Sequence, residues 1–329
     1  MAPLLQVENL EIVFMEDKTP TVVTDQVSFT VEQGEILSIV GESGCGKSVT
    51  ALSILGLLPP NAKVNKGSVL FEGNDLLKMT EKELDQIRGN ELTMVFQDVM
   101  NSLNPVFTIG NQLVETIRIH MGYDKKKAKA YAQELLDKVG MPDPKAVLAK
   151  FPHMLSGGMR QRAMIAMALA CRPKLIIADE PTTALDVTIQ LQIMKLLAQL
   201  REEFQMSIVL ITHDIGVVAE LADRVIVMYA GQCVEEAPVH QLFDRPSHPY
   251  TQALLKSVPG IYDEKNRKLE SIPGTVPEKY HTMEGCRFAD RCPYATDLCR
   301  NKQVYREVKP GHFVRCHLGK VRGEELSNG

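Results

Sequence analysis

The fold of this chain is decided by a short loop, Gly41-Glu42-Ser43-Gly44-Cys45-Gly46-Lys47-Ser48, which fits the phosphate-loop pattern G-x-x-x-x-G-K-[ST]. Residues 35–40 before it predict a buried strand, and residues 49–58 after it predict an apolar helix. Free backbone N–H groups and a helix N-terminus then converge on one point, which suits a nucleotide phosphate. The glycines let the backbone curl where a Cβ atom would clash.

Two side chains of this loop have predicted chemical roles. Lys47 would carry positive charge to the β- and γ-phosphates, and the hydroxyl of Ser48 would bind Mg²⁺. Because the flanking strand and helix are also present, the sequence predicts a nucleotide-binding protein.

The composition excludes several classes of function. The 329 residues are 44% hydrophobic, with a net charge of −4 and a pI of about 6.1, which argues against a nucleic-acid-binding surface. No apolar run approaches the roughly 20 residues that span a bilayer, and the N-terminal residues lack signal-peptide features, so we expect a cytoplasmic location. The basic run 125–129 precedes an amphipathic pattern and predicts a solvated helix face.

The order of extended and helical segments predicts an α/β fold. Strand patterns dominate up to about Phe71, and a helical pattern occupies about 100–170. Further on, a helix is predicted at 187–203 and short apolar strands at 174–178, 207–212 and 224–229. This alternation implies a parallel sheet with crossover helices, interrupted by an inserted helical subdomain.

Polar residues at the ends of predicted strands suggest a hydrolytic site. Asp179 and Glu180 end the strand 175–178, where Asp179 would hold Mg²⁺ and Glu180 would orient and deprotonate a water molecule. His213 ends another strand and would reach the γ-phosphate, while Gln97 follows 92–96 and could bind Mg²⁺ and touch the attacking water. Each signal is weak alone and gains meaning beside the phosphate loop.

A second glycine-containing loop, Leu155-Ser156-Gly157-Gly158-Met159, precedes a helix predicted at 163–171. Ser and Gly residues at a helix start also suit a phosphate. One nucleotide does not need two such loops from one chain, so we expect this loop to complete the site of another subunit.

In these motifs the chain resembles the ATP-binding subunits of ABC transporters over about residues 4–240. The resemblance rests on the phosphate loop, Gln97, 155–159, 175–180, Ala184-Leu185-Asp186 and His213. It implies a P-loop ABC-type nucleotide-binding domain over 1–240, with a parallel-sheet core, an antiparallel β subdomain and the helical insertion. Residues 241–329 would form a small Cys-rich extension.

The resemblance also implies the site residues and a head-to-tail dimer that holds two ATP molecules. ATP would contact Phe14, Gly41, Glu42, Ser43, Gly44, Cys45, Gly46, Lys47, Ser48 and Val49. Magnesium would be bound by Ser48, Gln97 and Asp179, and the catalytic residues would be Glu180, His213, Gln97 and Lys47. The partner's nucleotide would be reached by Ser156, Gly157, Gly158 and Asp186. Met159 and Thr183 depart from the common pattern without removing a catalytic group.

The tail holds four cysteines, Cys286, Cys292, Cys299 and Cys316. In a reducing compartment this clustering favours a bound metal over disulfides. The spacing of the cysteines by itself hardly distinguishes a zinc site from an iron–sulfur site. Residues 245–256, centred on His248-Pro249-Tyr250, resemble a segment of peptide and nickel importer ATPases. Dipeptide and oligopeptide importer ATPases similar to this chain carry a four-cysteine [4Fe–4S] segment, so the resemblance implies that cluster. His317, beside Cys316, is a bystander or a substitute ligand.

We therefore predict the ATPase subunit of a dipeptide or oligopeptide importer, peripheral on the cytoplasmic face of the cell membrane. Its predicted partners are a second, non-identical ATPase, two permease subunits and a substrate-binding protein, with no nucleic acid. Nickel, opines, glutathione or antimicrobial peptides remain open as cargo. A soluble ABC ATPase outside transport is the rival class, although the double core or coiled-coil insert usual there is missing from the sequence.

Overall fold

The computed structural model describes residues 2–16, 19–98, 102–183, 185–257, 272–277 and 279–318. Ala184 and the predicted start of the helical subdomain at residue 100 lie outside these ranges. The chain divides into two compact units. The first unit comprises Met1–Thr30, Leu37–Leu77 and Thr212–Gly329, and the second comprises Val31–Ile36 and Lys78–Ile211.

The secondary structure follows the predicted alternation. The strands are β1 (Leu5–Glu16), β2 (Thr19–Val31), β3 (Ile36–Val40), β4 (Ala62–Phe71), β5 (Asn74–Asp75), β6 (Leu92–Val95), β7 (Leu175–Asp179), β8 (Ser207–Ile211), β9 (Arg224–Tyr229), β10 (Gln232–Pro238), β11 (Arg306–Lys309) and β12 (His312–Val314). The described helices are α1 (Lys47–Ile54), α2 (Glu81–Ile87), α3 (Ile109–Met121), α4 (Lys125–Lys138), α5 (Pro144–Val147), α6 (Gly157–Ala168), α7 (Val187–Phe204), α8 (Ile215–Leu221), α9 (Val239–Asp244) and α10 (Pro249–Lys256).

The first unit contains the predicted antiparallel sheet, in the order β2-β1-β4-β5. Strand β1 pairs antiparallel with β4, so that Val7 lies opposite Val69. Near the end of β2, Val27 and Phe29 are buried while Ser28 between them is half-buried. Burial that alternates from one residue to the next is expected for a strand that packs one face against a hydrophobic core.

The first unit also carries β3, β9, β10, β12 and β11 as consecutive neighbours of a second sheet. Strand β3 is buried at every residue and pairs parallel with β9, with Val40 opposite Val227. Strands β9, β10, β12 and β11 pair antiparallel in that order. The C-terminal tail therefore adds two strands beside β10.

The second unit has the predicted parallel arrangement in β6, β7 and β8. Leu175 of β7 lies opposite Leu92 on one side and Ser207 on the other. Every residue of β7 and β8 is buried, as expected for parallel strands covered on both faces. Helices begin at side-chain caps on this unit, including Thr108 before α3 and Asp124 before α4.

Among the residues that the structure describes, no helix is both long enough and apolar enough to cross a membrane.

Candidate ATP site

The predicted phosphate loop joins β3 to α1 and has a backbone that only glycine fits. Gly41 has φ +153, and a Cβ atom there would come within 2.2 Å of the main-chain oxygen of Met228. Gly46 has φ +102, and its Cβ would lie 2.9 Å from Cγ2 of Thr24. A Cβ at position 41 would collide with backbone, and the positive φ at position 46 is one that residues with a side chain rarely adopt, so both positions favour glycine.

Lys47 is the first residue of α1 and is 6% exposed. Its Nζ donates hydrogen bonds to the main-chain oxygens of Gly41, at 2.8 Å, and Glu42, at 3.1 Å. The ammonium is thus held inside the curve of the loop. Ser48 and Val49 follow in the first turn of α1, where helix N–H groups are unsatisfied by the helix itself.

His213 lies in the first unit, directly after Thr212, whose N–H donates to the main-chain oxygen of Ile39 at 3.3 Å. That bond ties the segment to β3, the strand that leads into the phosphate loop. The side chain of His213 is exposed. Phe14 lies on β1 opposite Ala62 and is half-buried, and its role against adenine stays a prediction.

In the second unit the structure brings Gln97 and Glu180 together. Nε2 of Gln97 donates to Oε2 of Glu180 at 3.0 Å, and the hydroxyl of Thr183 donates to the same oxygen at 2.9 Å. Asp179, the last residue of β7, is 4% exposed. Because β6 and β7 are parallel neighbours, their carboxyl ends meet at one edge, where ligands bind in such sheets.

Thr183 was noted in the sequence only as a departure from a common pattern. Its hydroxyl in fact holds the Glu180 carboxylate. The signal available in the sequence was its spacing of three residues after Glu180, which permits a local turn. The turn is present, since the N–H of Thr183 donates to the main-chain oxygen of Glu180 at 3.1 Å.

The second glycine loop caps a helix, as expected, but α6 begins at Gly157 rather than at the predicted Ala163. Ser156 is the N-cap, and its Oγ accepts from the N–H of Met159 at 3.3 Å. The backbone of this loop approaches α7 closely, because a Cβ at Gly158 would lie 2.9 Å from Cγ2 of Ile189.

Asp186 caps α7, where its carboxylate accepts from the N–H of Ile189 at 3.0 Å. Gly157 also faces this region, since a Cβ atom on it would lie 3.3 Å from Cδ2 of Leu185. The residues predicted to reach a partner's nucleotide, Ser156, Gly157, Gly158 and Asp186, therefore form one neighbourhood of the second unit.

The four tail cysteines are free thiols. Burial, together with the nearby Cys316, Cys299 and Cys292, raises the pKa of the Cys286 thiol to about 11. The N–H of Cys286 donates to the main-chain oxygen of Cys299 at 2.7 Å. Within the described ranges, however, no group of three or more His, Cys, Asp or Glu side chains is arranged to hold a metal ion.

A parallel strand, a glycine loop around a buried lysine and a helix start define a P-loop nucleotide hydrolase. Comparison with known proteins is more specific. Residues 24–183 match the family described as ABC transporter, and residues 234–299 match the oligopeptide/dipeptide transporter C-terminal region. The chain therefore belongs to the ATP-binding subunits of ABC transporters that carry this C-terminal region, and it is an ATP hydrolase.

Relatives and solved structures agree with this family. The dipeptide transport ATP-binding protein DppD of Haemophilus influenzae is 52% identical, with 95% of each chain covered. The oligopeptide transport ATP-binding protein AppD of Bacillus subtilis is 50% identical, with 99% of this chain and 100% of AppD covered. The ATP-binding cassette MJ0796, solved as a dimer bound to ADP and Pi, superimposes with a TM-score of 0.64 and 29% identity, covering 71% of this chain and 98% of MJ0796.

Proposed function

We propose that this chain hydrolyses ATP to energise the import of dipeptides or oligopeptides. The observation that carries the proposal is the match to the oligopeptide/dipeptide transporter C-terminal region, because residues 234–299 lie beyond the ATP-binding motifs. The names of the relatives DppD and AppD point to the same cargo. Nickel, opine, glutathione or antimicrobial-peptide transport is the alternative, and a soluble ABC ATPase outside transport is less well supported.

In this proposal the phosphate loop holds ATP through its main-chain N–H groups and Lys47. Ser48, Gln97 and Asp179 would hold Mg²⁺, which supplies neutralising charge to the β- and γ-phosphates. Glu180 takes the proton of the water that attacks the γ-phosphorus, so that ADP and phosphate leave. His213 would contact the γ-phosphate.

The working assembly would contain a second, similar ATPase, two permease subunits and a substrate-binding protein. Ser156, Gly157, Gly158 and Asp186 of each ATPase would contact the nucleotide held by the other. ATP binding would close the pair and hydrolysis would reopen it. The chain would sit at the cytoplasmic face of the membrane through its contacts with the permeases.

We also propose that the tail cysteines bind a [4Fe–4S] cluster. Although the described residues are not grouped to hold a metal ion, the sulfur environments support the proposal. Cys299 accepts a hydrogen bond to sulfur from the N–H of Thr296 at 3.5 Å, and Cys286 and Cys292 accept such bonds from Phe288 and Tyr294. N–H bonds of this kind stabilise thiolates bound to iron. The ligands would be Cys286, Cys292, Cys299 and Cys316, and the default role of the cluster is to stabilise the tail.

Transport is tested by reconstituting the ATPase pair and its permeases in vesicles with candidate substrate-binding proteins. Uptake of a labelled dipeptide that needs ATP and fails with E180Q supports the proposal. Stimulation by a nickel-loaded binding protein, with none by a peptide-loaded one, would instead assign nickel as the cargo.

The cluster is tested by metal analysis of protein purified without oxygen. We expect about four irons per chain with broad visible absorption. The double variant C292S/C299S should lose both, whereas C171S/C233S, which alters two buried cysteines outside the tail, should keep them. Zinc in place of iron, or iron retained by C292S/C299S, would contradict this assignment.

A further inference from the structure

Glu42, the second residue of the phosphate loop, is held by two side chains from the C-terminal part of the chain. The guanidinium of Arg291 donates to both carboxylate oxygens of Glu42, at 2.8 Å and 3.0 Å. The hydroxyl of Tyr250 accepts the main-chain N–H of Glu42 at 2.9 Å. The loop is therefore tied at its carboxylate and at its peptide to residues more than 200 positions away in sequence.

The Arg291 contact has the geometry of a strong ion pair. Its side chain is 6% exposed, and the same guanidinium donates to the hydroxyl of Tyr229 at 3.2 Å and lies over the rings of Tyr229 and Phe288. A bidentate arginine fixes the carboxylate in position as well as balancing its charge. Packing on two aromatic rings keeps the guanidinium from following Glu42 if the loop moves.

The Tyr250 contact assigns a role to the His248-Pro249-Tyr250 segment. Tyr250 is fully buried against Tyr229 and Phe288, with ring centroids 4.6 Å and 5.4 Å away. Burial raises its pKa, so the phenol stays protonated. His248 caps α10 by accepting the N–H of Tyr250 at 3.0 Å, which fixes the position of the tyrosine at the helix start.

The chain of contacts continues to the ATP-binding lysine. The peptide group whose N–H Tyr250 accepts joins Gly41 to Glu42, and its oxygen accepts from Nζ of Lys47 at 2.8 Å. The main-chain oxygen of Glu42, the residue whose carboxylate Arg291 holds, accepts from the same Nζ at 3.1 Å. We propose that Arg291 and Tyr250 are positioning residues for ATP binding, which set the phosphate loop and Lys47 through Glu42. Without Arg291, an unbalanced carboxylate would stand in a loop that receives the polyanionic phosphates, and ATP affinity would fall.

The test measures ATP affinity of the full-length chain with a fluorescent ATP analogue, together with the urea midpoint of unfolding. We expect R291A to weaken binding by about tenfold and Y250F by about threefold. R291K keeps the positive charge but loses the bidentate guanidinium, so its ATP affinity should lie between those of wild type and R291A. Because Arg291 directly precedes Cys292, a proposed cluster ligand, wild type and variants are compared at equal iron content.

Arg315 provides the matched control. It is 7% exposed, lies over the ring of Tyr305 and donates to the main-chain oxygen of Cys233 at 3.0 Å rather than to Glu42. R315A should lower the urea midpoint without changing ATP affinity of the folded protein. An equal affinity loss in R315A and R291A would reduce Arg291 to a structural residue and overturn the proposal.

A double-variant cycle tests whether Arg291 acts through Glu42. In an E42A background the carboxylate is already gone, so adding R291A should change affinity by less than about twofold. A full tenfold loss from R291A in that background, or no loss in the wild-type background, would show that the contact does not position the loop.

Discussion

Gln97 donates a hydrogen bond to the carboxylate of Glu180 over 3.0 Å, which joins the ends of two parallel strands. Glu180 has φ +44, a left-handed conformation that costs about 1–2 kcal/mol for a residue with a Cβ atom. Its N–H is bonded to the main-chain oxygen of Ile211 at 2.8 Å, which holds this conformation. The carboxylate is thereby fixed in direction before any substrate arrives, which suits the general-base role proposed for Glu180.

Replacing Glu180 by Gln should separate ATP binding from ATP hydrolysis. The amide can keep contacts with Gln97 and Thr183 but cannot take a proton from water. We expect turnover to fall by about a hundredfold or more, with nucleotide affinity close to that of wild type. Phosphate release and binding of a fluorescent ATP analogue measure the two quantities on the same preparation.

The matched control for this variant is E203Q. Glu203 lies on α7 and pairs with Lys138 at the surface of the second unit, so its replacement should leave turnover unchanged. If E180Q hydrolysed ATP at the wild-type rate, another group would have to act as the base.

Replacing Lys47 by Ala should weaken nucleotide binding itself. Lys47 is buried and held by two main-chain oxygens of the loop, so the variant loses both the phosphate contact and a support of the loop. We expect affinity for ATP to fall by about tenfold or more. The comparison variant K66A removes an exposed lysine paired with Glu11, and normal affinity in K47A would mean that the loop does not bind phosphate.

The sequence predicted the elements that follow strong local rules. Strand β3, the phosphate loop and the parallel run of β7 were found because a buried parallel strand is a continuous apolar run. The glycines at 41 and 46 were informative because their positive φ angles exclude other residues. These signals depend on neighbours in sequence, so one chain was enough to find them.

Two of the features that were missed, strand β10 and the contact of Arg291 with Glu42, depend on long-range pairing. Strand β10 carries Glu235 and Glu236, which are buried and paired with His312 and Arg224. Buried charges break the apolar alternation by which a strand is recognised. The contact of Arg291 with Glu42 spans 249 residues and has no periodic signal. The start of α6 was missed because two glycines are weak helix formers, and the cap of Ser156 compensates.

Two substitutions of Ser156 should separate its effect on folding stability from its effect on ATP-driven dimerisation. As N-cap of α6 its hydroxyl accepts one helix N–H, so S156A should lower the free energy of unfolding by about 1 kcal/mol. S156D keeps the cap but, in the proposed dimer, would bring negative charge toward the γ-phosphate of the second nucleotide. We expect S156D to retain wild-type stability and to lose ATP-driven dimerisation, measured by gel filtration in the E180Q background.

The control is T108A, which removes the equivalent cap of α3 at 3.2 Å. T108A should lower the free energy of unfolding by about as much as S156A does, and it should leave ATP-driven dimerisation unchanged. Normal dimerisation by S156D would remove Ser156 from the proposed contact with the second nucleotide.

His248 makes stability depend on pH in a predictable direction. Burial lowers its pKa from 6.5 to about 4, and its Nδ1 must stay unprotonated to accept the N–H of Tyr250. The unfolded chain therefore binds a proton that the folded chain does not. The free energy of unfolding should fall as pH decreases from about 6.5 toward 4, by about 3 kcal/mol in total for this group.

The variant H248N tests this prediction, because Asn can cap α10 without titrating. The urea midpoint is measured at pH 7 and pH 5, which bracket the upper part of the pH range in which His248 titrates. The midpoint of wild type should fall further between these values than that of H248N. H240N, which replaces an exposed histidine of α9, should follow wild type. Wild type and H248N share every other titrating group. If their urea midpoints changed equally with pH, His248 would be protonated to the same extent in the folded and the unfolded chain.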